Sequence, residues 1–245
     1  MSPRILFSTT GRVLRQLGHD KRTLALVLVV PAVLLTLIYY VFDDKPFVFD
    51  HIGLLMLGIF PFVLMFLITS IAMLRERTTG TLERLLTTPM AKIDLLFGYA
   101  LAFGLVAAVQ ATIVSVLAYW AFDLTIAGSV WLVVLVAVFD GILGMALGLL
   151  CSAFARTEFQ AVQFMPAVVF PQLFLCGLFA ARASMVGFLQ AISNVLPMTY
   201  AVQALQEIGG HGSPTAILWR DLGIVVGASV IALALAAATL RRRTD

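Results

Sequence analysis

Six mostly apolar runs divide this chain: Leu24–Phe42, Ile52–Leu74, Leu95–Phe122, Val130–Phe154, Phe159–Ala181 and Leu222–Leu240. Each is close to or above the roughly 20 residues a helix needs to cross a hydrocarbon layer of ~30 Å. Inside lipid every backbone polar group must bond within the structure, so such runs dictate helices. Pro31, Pro61, Pro166 and Pro171 fall inside them, where neighbouring helices can satisfy the groups they free. Charged residues make up only 12% of the chain and mean hydropathy is +1.03. Ordinary globular domains carry about 25% charge, so the composition points to a single polytopic membrane domain over residues 1–245.

The basic pI near 9.1 does not point to nucleic acid. With six spans and a cytoplasmic N-terminus, the inner segments hold Arg4, Arg12, Arg15, Lys21, Arg22, Arg75, Arg77, Arg84, Lys92, Arg156 and Arg241–Arg243. That is 13 of 16 Lys and Arg residues, leaving Lys45, Arg182 and Arg220 outside. This is the positive-inside bias that orients helices. A seventh apolar segment, Met185–Gln206, contains Gln190, Ser193, Asn194, Pro197 and Gln203, and counting it as a span would put Arg241–Arg243 outside. It reads instead as a re-entrant pair of half-helices broken near Asn194–Pro197, within an extracytoplasmic segment 182–208. A polar segment of about 20 residues comes first, so no cleaved signal peptide is expected. Within it, Arg4, Ser8, Arg12, Arg15 and His19 oppose Leu6, Val13, Leu14 and Leu17. The pattern fits an interfacial amphipathic helix over 1–22, or a cationic orientation tail.

The most charged stretch, "LRERTTGTLERLLTTPMAK" from Leu74 to Lys92, falls in the loop between spans two and three. Gly80 or Thr79 can open a short helix with Glu83 in its first turn, where a carboxylate suits the positive helix end. Leu82, Leu85, Leu86 and Met90 recur at helical spacing, and Pro89 discourages continuation beyond Thr88. A loop that only reverses the chain needs no such pattern. Mixed charge around an apolar ridge suits a protein contact, or a helix resting on lipid headgroups.

"RERTTGTLERLLTTPM" resembles the first cytoplasmic loop of ABC-2 type transporter permeases, whose usual form is E-R-E-x-G-T-L-E-x-L-L-x-T-P. It departs at Thr78–Thr79, where charged residues are common. "LGLLCSAFARTEFQAVQF" (Leu147–Phe164) and "LPMTYAVQAL" (Leu196–Leu205) are similar to segments of drug-export members. The resemblance implies a coupling helix within 75–92 that docks on a separate ATPase, present as two copies. Its partner-facing or loop-shaping residues would be Arg75, Glu76, Arg77, Gly80, Thr81, Leu82, Glu83, Arg84, Leu85, Leu86, Thr87 and Pro89. It also implies a second permease copy, a bacterial plasma-membrane location with both termini cytoplasmic, and export of a drug-like or lipid-like amphiphile, with a lipid-linked glycan as the alternative cargo.

No motor is encoded in these residues. A Walker A motif needs Gly before Lys, but Lys21, Lys45 and Lys92 follow Asp20, Asp44 and Ala91. ATP and Mg would sit on the partner, and no catalytic, cofactor or metal residues are expected in a chain with scattered His19, His51 and His211. Cys151 and Cys176 read as buried core. Asp140 lies ten residues into the fourth run, roughly 15 Å deep. A buried acid there is functional by default, facing a cavity or a proton path, or is structural and bonded to a neighbouring helix. The first option keeps open an ion-gradient antiporter. Gln110, Gln160, Gln163 and Gln172 line a pathway or bond between helices. Gly141, Gly144 and Gly148 permit close packing, in the chain or against a second copy. The aromatic walls of spans two and five suit an amphiphile or lipid.

Overall fold

The computed structural model describes residues 3–87 and 92–239, and within them every regular element is helical. The order is α1 (Pro3–His19), α2 (Lys21–Val41), α3 (Pro46–Thr78), α4 (Thr81–Leu86), α5 (Lys92–Ala121), α6 (Val130–Cys151), α7 (Glu158–Leu175), a 3-10 turn (Arg182–Ser184), α8 (Gly187–Val195), α9 (Met198–Gly210) and α10 (Ala216–Thr239). Local chemistry sets several ends. Asp20 caps α2, its carboxylate accepting from the N–H (3.1 Å) and hydroxyl (2.6 Å) of Thr23. Pro46 occupies the first turn of α3, where its missing N–H costs nothing. Thr157 caps α7, its hydroxyl accepting from the Gln160 N–H at 3.2 Å, and the Gln160 side chain reaches back past the cap to accept from the Arg156 N–H at 2.8 Å.

Among the described residues five helices, α2, α3, α5, α6 and α10, are long and apolar enough to cross a membrane. The fifth expected run, Phe159–Ala181, departs from expectation. Its helix α7 has 18 residues and stops at Leu175, because Gly177 takes a left-handed φ of +101° that ends the spiral. Carrying Gln160, Gln163 and Gln172 as well, it falls outside the group of five. In the other direction α3 exceeds its expected run, Ile52–Leu74, at both ends. At 33 residues it is about 50 Å long, well beyond the ~30 Å hydrocarbon thickness.

The seam between α3 and α6 is the centre of the bundle. A Cβ at Gly144 would fall on the carbonyl oxygen of Phe62, and one at Gly148 would lie 2.5 Å from that of Phe66. One at Gly141 would lie 2.8 Å from Ala107 of α5. The glycine stripe therefore brings α6 against α3 and α5 of its own chain, backbone to backbone. Phe62, Phe66, Met65, Leu143 and Met145 fill the surrounding core. Outward faces stay apolar, with Leu37, Val109, Phe174 and Ile231 all exposed, as expected where lipid is the solvent. Trp120, Trp131 and Trp219 are exposed at one end of the bundle, on the last turn of α5 and the first turns of α6 and α10. This matches an aromatic belt at a membrane interface.

At that same end, α8 and α9 are too short to span, at 9 and 13 residues, and they break at Leu196–Pro197 as anticipated. The Ser193 hydroxyl donates to the Leu175 carbonyl (2.8 Å), and the Tyr200 hydroxyl donates to that of Asn194 (2.8 Å). Arg182 donates to Gln203 (2.9 Å) and to Asn194. The N–H groups of Ala127 and Gly128 donate to Gly209 (3.1 Å) and Ile208 (2.9 Å), pinning the α5–α6 connection to the end of α9.

Replacing Gly144 with Ala should destabilise the fold by about 1–3 kcal/mol through overpacking. Gly227→Ala, where a Cβ meets open space, should be neutral. Thermal unfolding in detergent separates the two.

Candidate functional site

Three charges at the start of the loop motif, Arg75, Glu76 and Arg77, gather where α3 runs past the bundle, and each reaches a different helix. Glu76, 6% exposed, accepts from Arg12 of α1 at 2.6 Å. Arg75 makes a forked pair with Glu158 at the start of α7, Nε to Oε1 at 2.7 Å and Nη2 to Oε2 at 3.1 Å. Arg77 donates to the Thr239 hydroxyl at the end of α10 at 3.3 Å. Less than one turn of α3 thus fastens three other helices. Burial pulls the Arg12 guanidinium down in pKa, but the hydrogen bond and charge of Glu76 outweigh it and leave the group raised.

Helix α1 is docked as well as charged. Thr9 and Thr10 are buried, and a Cβ at Gly98 of α5 would lie 2.6 Å from the Thr9 methyl. The Thr10 hydroxyl reaches the Gly98 carbonyl at 3.3 Å. Val13 is buried in the same core, with Ile5, Leu14 and Leu17 packed around it. The N-terminal helix therefore rests on protein along this face. Thr9, Thr10 and Gly98 were not legible as a pair in the sequence; the one signal, a small residue in an apolar run, is common.

Gly80 takes a φ of +72°, the left-handed turn that breaks the rod of α3 and lets α4 set off in a new direction. On α4, Leu82 is buried and Leu85 half-buried in the core under α1 and α5, so the apolar ridge faces inward. Arg84 and Thr87 are exposed, and Thr81 is half-buried. Glu83 and Leu86 belong to the described helix but their side chains do not, and Pro89 lies outside the described residues, as do Thr88 and Met90.

Asp140 sits in the middle of α6 at 1% exposure, and neither carboxylate oxygen has a hydrogen-bond partner among the described residues. Gly58 of α3 is its close neighbour: a Cβ there would lie 3.9 Å from Oδ2. The glutamines do not gather on Asp140. Gln172 is buried and joins α7 to α9, donating to the Val168 carbonyl (3.2 Å) and accepting from the Met198 N–H (3.3 Å). Gln163 is exposed on α7, and Gln160 is a cap. A second buried acid, Asp221, stands just before the expected sixth run, Leu222–Leu240. The helix α10 begins earlier and takes it in, with Arg220 donating to Asp221 at 2.7 Å and 2.9 Å.

A bundle of long apolar helices, with an ion-paired junction of Arg12, Arg75, Glu76 and Glu158 at one end and the short helix α4 docked beside it, is the architecture of a multi-pass membrane protein. The chain belongs to the ABC-2 type transporter family, whose model matches residues 5–208. It is 33% identical over 141 residues to "ABC transporter G family member 20" of Dictyostelium discoideum, covering 58% of this chain and 19% of that protein. It is 30% identical over 156 residues to "Probable multidrug ABC transporter permease YbhR" of Escherichia coli (strain K12), covering 64% and 42%. With "Linearmycin resistance permease protein LnrN" of Bacillus subtilis (strain 168) the identity is 26% over 168 residues, covering 69% and 43%. The aligned part spans less than half the length of each of these relatives. In this family the permease is a membrane transport subunit and the ATPase a separate one.

Glu76→Gln should loosen α1 by about 1–3 kcal/mol, because it leaves the half-buried Arg12 without its counter-charge. Glu158→Gln, at an exposed pair, should cost less than about 1 kcal/mol. A double-mutant cycle with Arg12→Gln, read by denaturant unfolding in micelles, should recover part of the first loss and none of the second.

Proposed function

We propose that this chain is the permease of an ATP-driven exporter that carries drug-like or lipid-like amphiphiles out across the bacterial plasma membrane. Six spans, with α7 as the fifth, would leave both termini and the charged end of α3 in the cytoplasm, and α8–α9 would dip back from the outer face. Two copies of the chain would work with two ATPase subunits that hold the ATP and Mg. The observation that carries this reading is the convergence of α1, α4, α7 and α10 on the C-terminal turns of α3. A push delivered there reaches four helices at once, which is what an external motor needs.

Within the implied coupling motif the contacts divide by position. Arg75, Glu76, Arg77, Leu82 and Leu85 carry movement into the bundle, since their partners are in this chain. Arg84 and Thr87, exposed on and beyond α4, would meet the ATPase. Gly80 sets the direction of α4, and Thr81 opens it. The multidrug and resistance names of two relatives support a drug-like cargo over a lipid-linked glycan.

A second reading rests on Asp140, a buried acid with no protein partner among the described residues: an antiporter that loads a proton there. Vesicle transport separates the two. With a partner ABC ATPase co-expressed, efflux of a fluorescent amphiphile should follow ATP and survive an uncoupler. Arg84→Glu should weaken ATPase binding about tenfold, as for an interface Arg anchor. Transport that ignores ATP depletion but collapses with the uncoupler would transfer the function to Asp140.

A further inference from the structure

A cavity of about 600 Å³ opens between α1, the start of α2, the C-terminal half of α3 and α5. This is within the ~300–1,000 Å³ typical of small-molecule sites. Its inner wall is apolar, with Val27, Leu64, Ile68 and Phe103. Along α2 only Val27, Pro31 and Leu35 are buried, so this helix stands off from the bundle and leaves room behind it. Leu26 lines the cavity and is 59% exposed, so the void communicates with the lipid-facing surface.

The opposite end of the cavity is polar and carries Asp20, Arg75 and Glu76. Two of these charges are already answered. Glu76 is paired with Arg12 at 2.6 Å, and Arg75 is forked on Glu158 at 2.7 and 3.1 Å. Asp20 has the N–H and hydroxyl of Thr23 but no ion pair among the described residues. Those hydrogen bonds hold its carboxyl below the usual carboxylate range, so it is ionised at neutral pH. Arg75 also acts on Asp20 through charge, but it is shared with Glu158, so Asp20, Arg75 and Glu76 with their partners Arg12 and Glu158 leave the rim one net negative charge over an apolar chamber.

We infer that this cavity binds a cationic amphiphile, with its apolar body against α3 and α5 and its positive head at Asp20. The inference narrows the cargo of the exporter reading to amine- or onium-bearing compounds, and rests on that reading only for what happens after binding. The same net charge disfavours an anionic head.

The test uses a pair of probes of one shape and opposite charge, tetraphenylphosphonium and tetraphenylborate, with the full chain in nanodiscs of zwitterionic lipid. Radiolabelled tetraphenylphosphonium should bind saturably, and tetraphenylborate should not compete. Asp20→Asn keeps a good helix cap while removing the charge, and should weaken binding about tenfold. Leu67→Trp, which fills the chamber from a half-buried position on α3, should abolish binding with the melting temperature unchanged. Equal competition by tetraphenylborate, or unchanged binding in both variants, would overturn the site. Lost probe binding with intact ATP-driven transport defeats this inference alone. Probe binding as expected without ATP-driven transport defeats the exporter reading and leaves the site standing.

Discussion

Two helices that touch through their backbones leave no side chain between them to yield, and in this molecule they are α3 and α6. The approach is fixed by glycine at 144 and 148, facing the carbonyls of Phe62 and Phe66. Among apolar helices in lipid there is little hydrophobic drive toward association, so close van der Waals contact has to supply it. Once α3 is held this way, the other elements can be described by where they meet it. Helix α9 packs near Gly58 through Leu205, α5 joins α6 at Gly141, and α1, α7 and α10 fasten to the far turns.

Those far turns matter because of length. A rod of about 50 Å cannot be hidden in a ~30 Å layer, so part of α3 has to stand in water. Arg75, Glu76 and Arg77 occupy that part, Arg75 exposed and paired and Glu76 buried against Arg12. Their partners come from three separate helices, so the charged end is a junction as much as a surface. The opposite end is organised differently. Exposed tryptophans ring it, and side-chain hydrogen bonds from Arg182, Ser193 and Tyr200, with Asn194 and Gln203 accepting, shape the broken helices there. The two ends differ in chemistry in the way two faces of an oriented membrane protein should.

Much of this was legible in the sequence because the bilayer imposes a simple rule of length. Five of six apolar runs became helices that satisfy it, the amphipathic N-terminal segment became α1, and the break at Leu196–Pro197 fell where the polar residues and proline placed it. The misplaced end was that of α7, where Gly177 acts through backbone conformation and leaves the hydropathy of Phe159–Ala181 untouched. The junction at α3 was harder to see for another reason. A charged loop residue reads the same whether its partner is another protein or a helix of the same chain 64 or 83 positions away. Glu158 and Arg12 were therefore invisible as partners, although the cap at Thr157 was present in the letters. Asp140 was placed correctly at mid-helix; that the glutamines would turn elsewhere depended on packing between α7 and α9, which periodicity does not encode.

The docking of α1 on α5 has a bearing on how the chain is made. Thr10 meets a carbonyl 88 residues further along. Ribosomes add roughly 5–20 residues each second, so for several seconds the leading segment exists before its seat has been synthesised. During that interval its apolar stripe has only the membrane surface to lie on. Helix α1 is thus made before the seat it docks on, and insertion of the third apolar run is the event that releases it from waiting.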